Sequence, residues 1–182
     1  MGEARRLLMV DDSATMRRMI AAFLAEEGYS VETAVDGRDG LRRARELSPE
    51  LILTDYTFAK DKIFAYLTLE DSELMIYNRL YEMLRENVPR PDLVIYLQAS
   101  LDTLLKRVKK RGKAYEKSLS QEYLKEISEA YSHYFYRYDE TPLLVVNTNE
   151  IDFVNTPEHF DQLIEQIRNA KKGTQYYVPL GS

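Results

Sequence analysis

Asp11, Asp12 and Asp55 are the residues of this chain best placed to do chemistry. Each stands where a short apolar run ends: Leu7–Val10 runs into Asp11-Asp12, and Leu51–Thr54 runs into Asp55. Runs of this length read as buried parallel strands, and acids at the carboxyl ends of neighbouring strands converge. Converging carboxylates repel one another, so a divalent cation is their natural counterion, and Mg²⁺ prefers oxygen ligands of this kind. A carboxylate in that setting can also act as a nucleophile and form an aspartyl phosphate. The plainer alternative is that Asp12 caps a helix and Asp55 merely ends a strand.

A second cluster is cationic. Lys106, Arg107, Lys109, Lys110, Arg111 and Lys113 follow one another within eight positions. Such groups can hold phosphates, and guanidinium does so bidentately. They can equally be the solvated end of a helix, where positive charge complements the helix dipole. His133 and His159 form no catalytic pair and read as ordinary surface or half-buried residues. Cys is absent, which excludes disulfides, thiolate metal sites and a cysteine nucleophile.

The elements that must position these groups alternate. Leu7–Val10 is a strand; Met16, Met19, Ile20, Phe23 and Leu24 recur at helical spacing after a cap at Asp12 or Ser13, and Gly28 ends that helix. Val31–Val35 is a second strand, residues 37–47 a second helix, and Leu51–Thr54 a third strand. Helices follow over residues 58–67 and 70–86, a fourth strand over Leu93–Leu97, and a helix over residues 101–110 ending at Gly112. A long tyrosine-rich helix covers residues 121–138, with Tyr123, Tyr131, Tyr134 and Tyr138. Leu143–Asn147 is a fifth strand and residues 158–171 a last helix, after which the tail beyond Gly173 reads as frayed. This order predicts an α/β fold with a parallel sheet covered on both faces.

With 182 residues, 45% of them hydrophobic, the chain suits one domain with a full core. A net charge of −5 argues against a general nucleic-acid or membrane binder. The start shows no secretory leader, which suits the cytoplasm, and Gly181-Ser182 reads as a cloning remnant. Usage changes abruptly near Asp55. Before it every basic residue is arginine, and Tyr29 is the only tyrosine; the first lysine is Lys60, and the other thirteen of the 14 tyrosines follow. Two unrelated pieces joined at this point explain the break.

Residues 5–55 resemble the receiver domain of bacterial response regulators, through LLMVDDSATMRRMI, the Val35-Asp36-Gly37 turn and PELILTD at Pro49–Asp55. The resemblance implies a flavodoxin-like fold, a phosphoacceptor at Asp55 and Mg²⁺ held by Asp11, Asp12 and Asp55. It is incomplete. Where the family has Thr or Ser after strand four this chain has Gln98-Ala99-Ser100, and where it has Lys after strand five there is Asn147-Thr148. The family's Met-Pro loop does not follow Asp55.

Residues 55–178 resemble the carboxyl-terminal part of bacterial deoxynucleoside kinases of the deoxyadenosine/deoxyguanosine type. DYTFAKDKIFAYL, RPDLVIYLQAS, LLKRVKKRGKAYE and PLLVVNTNEIDFV carry the likeness. It implies a lid whose Arg107, Arg111 and Lys113 meet nucleotide phosphates, and a sugar contact at Glu116. Such kinases need a glycine-lysine P-loop after strand one, whose amides cradle phosphate. Here that turn is Val10-Asp11-Asp12-Ser13-Ala14-Thr15, with two acids and neither Gly nor Lys.

The expected fold is therefore a three-layer α/β/α domain with a five-stranded parallel sheet. Flavodoxin-like order 2-1-3-4-5 is favoured over P-loop order 2-3-1-4-5, because the first 55 residues fix their own β-α-β-α-β unit. The expected organisation is one chimeric domain over residues 1–182: a receiver-derived half (1–55), a kinase-derived half (56–178) and a tail (179–182). The expected function is an engineered scaffold with no catalytic residues and no enzymatic activity. It requires no cofactor and retains at most weak Mg²⁺ or anion binding through vestigial residues. No nucleic-acid or membrane partner is expected, and a homodimer is allowed. The alternatives are a nucleotide-binding remnant of the kinase and a phosphoacceptor module using Asp55.

Overall fold

The structure is a computed structural model that describes residues 5–112, 119–152 and 156–179. It divides into two compact units, Met1–Lys60 and Asp61–Ser182.

In the first unit, β1 (Arg6–Val10), α1 (Ala14–Glu26), β2 (Ser30–Ala34), α2 (Gly37–Leu47) and β3 (Leu51–Thr54) alternate. All pairings are parallel, in the order β2-β1-β3. The apolar run of β1 explains its central place: Leu7, Leu8 and Met9 are buried on both faces, as a strand flanked on both sides requires. Ser13 accepts the Met16 N–H and starts α1, and the Asp36 carboxylate accepts the Asp39 N–H at 2.8 Å and starts α2. The two helices pack on β1 and β2. All four residues of β3, the edge strand, are exposed.

Gly40 of α2 is buried, and a Cβ there would lie 2.9 Å from a Val10 methyl. Valine is stiff at χ1, so it cannot swing aside freely. Gly40→Ala is expected to destabilise this unit by about 1–3 kcal/mol in a urea titration. Gly37→Ala, at the start of the same helix and facing open space, is the control and should be neutral or slightly stabilising.

The second unit holds α3 (Phe58–Thr68, which begins in the first), α4 (Asp71–Arg85), β4 (Val94–Gln98), α5 (Leu101–Arg111), α6 (Gln121–Tyr136), β5 (Leu143–Asn147), α7 (Pro157–Arg168) and β6 (Thr174–Tyr177). Its sheet is parallel, ordered β4-β5-β6. The β5 run LLVVN divides its side chains between two cores, as the two-residue period of a strand dictates. Leu143 and Val145 pack with Ile63, Val94, Phe135 and Tyr138. Leu144 and Val146 pack with Ile151 and Leu163. Helices α3 and α6 thus serve one face and α7 the other.

Two expectations are corrected. Among the described residues the hydrogen-bonded strands form two three-stranded sheets, not one of five strands. The stretch after Gly173 is not a frayed tail: the positive φ of Gly173 (83°) turns the chain, and Thr174–Tyr177 pairs with β5. Within the first sheet β3 does lie beside β1, not between β1 and β2.

Candidate functional site

The parallel register sets Val10 beside both Ala34 and Thr54, so β1 and β3 end level with each other. Asp11 and Asp12 leave one strand and Asp55 the other. One carboxylate oxygen from each of the three lies within 4.8 Å of the others. Asp11 is buried, 6% exposed, whereas Asp12 and Asp55 reach solvent. The Ser13 N–H donates to Asp11 Oδ1 at 2.6 Å, and Arg17 Nη1 donates to the Asp11 main-chain oxygen at 2.6 Å. On the other strand the Thr54 hydroxyl donates to the Tyr56 carbonyl at 2.8 Å, which shapes the turn carrying Asp55.

The Asp55 carboxyl is held above the usual aspartate range. Partial desolvation at the strand end is the largest cause, although the residue as a whole is exposed; the negative charges of Asp11 and Asp12 add to it, and Lys60 opposes it. This electrostatic position suits a bound cation. A Mg²⁺ ion with oxygens at about 2.0–2.1 Å spans about 4 Å between opposite ligands, compatible with the spacing here. Lys60 escaped the sequence reading. Its signal was available as the first lysine in the chain, five residues beyond Asp55.

The cationic stretch has a different geometry. Helix α5 begins at a Ser100 cap that accepts the Thr103 N–H, and it ends at Gly112 in the left-handed region, φ 64°. Lys109, Lys110 and Arg111 occupy its last turn. Arg107 turns its guanidinium onto the loop after β5. Nη1 donates to Thr148 Oγ1 at 2.9 Å, and Nη2 to the carbonyls of Thr148 at 2.5 Å and Ile151 at 3.2 Å. Thr148 is 2% exposed and itself donates to the Gln98 carbonyl at 2.9 Å. Arg107 therefore ties the ends of β4 and β5 to α5. Lys113 and Glu116 lie outside the described residues.

Arg107→Ala should lower the stability of this unit by about 1–2 kcal/mol in chemical denaturation, because it removes charge-assisted bonds to two carbonyls. Arg107→Lys should recover less than half of that, since an ammonium cannot span the same fork.

His159 Nδ1 accepts the Asp152 N–H at 3.1 Å, a local structural role, and His133 is exposed on α6. Among the described residues no helix is long and apolar enough to cross a membrane.

Comparison with known proteins decides the family. The profile described as Deoxynucleoside kinase matches residues 41–171, most of the chain. The chain belongs to the deoxynucleoside kinase family. Similar proteins include the deoxyguanosine kinase of Bacillus subtilis, 31% identical over 121 residues, covering 64% of this chain and 58% of that protein. The deoxyadenosine kinase of Lactobacillus acidophilus is 30% identical over 129 residues, covering 63% and 60% respectively. The solved deoxyadenosine kinase of M. mycoides with bound dATP shares the fold, with a TM-score of 0.65 at 20% identity over 90% of this chain and 99% of that one. This deoxynucleoside kinase family member also carries a second family's piece. Residues 7–62 match the Response regulator receiver domain profile, and the chemotaxis protein CheY of Treponema pallidum is 42% identical over 62 residues, 32% of this chain and 43% of that protein.

The chain is thus a two-part chimera of kinase and receiver pieces. The expectation that it is no enzyme is overturned: the chain belongs to a kinase family, and the relatives it matches are named as kinases. The chain spans about three fifths of the length of the curated kinases it matches.

Proposed function

We propose that this chain handles phosphoryl groups in a Mg²⁺-dependent way, with the cation at Asp11, Asp12 and Asp55 and a purine deoxynucleoside or its nucleotide on the kinase-family unit. The observation that carries the first part is the convergence of three carboxylates within 4.8 Å at the ends of two paired strands. The kinase relatives, named for deoxyguanosine and deoxyadenosine, support the second.

When bound, Mg²⁺ would neutralise charge on the phosphate oxygens and relieve the repulsion among the carboxylates. Asp55 is the acceptor. One carboxylate oxygen forms a bond to phosphorus, the bond from phosphorus to the donor's leaving oxygen breaks, and the leaving group departs with that electron pair. Asp11 and Asp12 would hold the cation, and Lys60 supplies positive charge beside Asp55.

The test has two arms. Intact-mass measurement after incubation with acetyl phosphate should show one added phosphoryl group with Mg²⁺ and none with EDTA. Turnover of deoxyguanosine or deoxyadenosine with ATP is measured separately. No added mass removes the acceptor role; no nucleoside monophosphate removes the kinase role.

A further inference from the structure

We infer that the second unit contains a separate site for an uncharged planar heteroaromatic ring, between α6 and the sheet. The cavity there has a volume of about 470 Å³, within the range of roughly 300–1,000 Å³ typical of small-molecule sites. Its floor is one row of the sheet. Tyr96, Val145 and Tyr176 are direct partners on β4, β5 and β6, so two aromatic side chains flank a small one. Adjacent strands lie about 4.8 Å apart, which roots the two tyrosines about 9.6 Å from each other. Phe135, which packs with Val145, takes the Tyr96 end of that span, so the aromatic face left for a ligand ring is that of the exposed Tyr176.

The wall follows helical spacing. Ser128, Ser132, Phe135 and Tyr136 of α6 face the row. Phe135 stacks on Tyr96 with centroids 4.5 Å apart, and Tyr96 Oη lies 3.3 Å from Ser132 Oγ, so this wall is held in place. Tyr176 is 65% exposed and lies at the cavity's open side. The polar groups are adapted to an uncharged ring. Gln98 offers an amide donor and acceptor, and His133 a ring nitrogen. Among the described residues neither side chain has a hydrogen-bonding partner. The lining holds a carboxylate, Glu129, and no Lys or Arg, so N–H donors are favoured and phosphate is not. Its lining shares no residue with the acidic cluster or with the cationic end of α5.

The test is calorimetric titration of the full chain with adenine and with AMP as probes. Adenine should bind, and AMP should bind about fivefold or more weakly; a nucleotide site would show the reverse preference. Tyr176→Ala should weaken adenine about fivefold to tenfold through lost stacking, and Ser128→Trp should block it by filling the cavity. Thermal melts of each variant show whether it folds. Amide chemical shifts of the unmodified protein provide a readout that needs no variant: adenine should move Gln98, Ser132, His133 and Tyr176. No heat from adenine, binding indifferent to both substitutions, or shifts confined to other residues would overturn the assignment.

Discussion

Asp55→Asn should abolish phosphoryl acceptance and, in EDTA at about pH 7, raise the melting temperature. The sign follows from linkage. Desolvation and the charges of Asp11 and Asp12 lift the Asp55 pKa, so the folded state holds that proton more tightly than the unfolded chain does. The resulting stabilisation is complete below the ordinary aspartate value and is lost as pH rises through the lifted one. At neutral pH the ionised carboxyl therefore opposes folding, and asparagine removes the repulsion at nearly the same volume. The advantage of the variant should vanish near about pH 3, where Asp55 is protonated in both states. Mg²⁺ should stabilise the unmodified protein more than the variant, because the ion loses a charged ligand. A variant that melts lower than the parent in EDTA would show that the carboxylates are not in mutual repulsion.

Phe135→Ala should have the largest effect on stability, about 3–5 kcal/mol. Phe135 is 7% exposed and lies at the centre of an aromatic group. Tyr96 stacks on it at 4.5 Å, Tyr134 meets it edge-on at 5.3 Å, and Tyr138 lies at 5.8 Å. Burial also lifts the hydroxyls of Tyr96, Tyr134 and Tyr138 above the usual tyrosine range, which marks the group as desolvated. Removing the ring deletes contacts from α6 to β4 and opens a void that stiff neighbours cannot close. A fall of about 10 °C in melting temperature is expected for a chain of this size. Near-UV circular dichroism, which reports tyrosine order, should collapse in the same transition. Phe135→Leu should cost about 1–2 kcal/mol, because it retains much of the volume. A change under about 1 kcal/mol for alanine would mean that the aromatic group does not carry this core.

The elements that sequence made legible are those whose signals are local. Ser13, one of the two caps the sequence offered, starts α1 because its side chain reaches the N–H three residues on. The apolar run Leu143–Asn147 read as a strand and is one; that it is buried and central in its sheet is seen in the structure. The acid-terminated runs before Asp11 and Asp55 likewise announced paired strand ends. Strand β6 was not legible. TQYY is short and half-exposed, and it becomes a strand only through its register with Leu143–Val146. The role of Arg107 was equally hidden. A guanidinium in a basic run looks like a phosphate ligand, and its engagement with Thr148 and Ile151 depends on residues more than forty positions away.

What the sequence by itself determined, then, is the parentage of the two pieces, the alternation of strands and helices, and the placing of three acids at strand ends. These follow from residue order, since periodicity, caps and motifs act over a few neighbours. Tertiary structure alone decided that the strands form two three-stranded sheets, that the three carboxylates come within 4.8 Å of one another, and that Tyr96, Val145 and Tyr176 share one row. Register and strand order are set by which distant surfaces bury each other, and that competition is resolved only when the chain has folded.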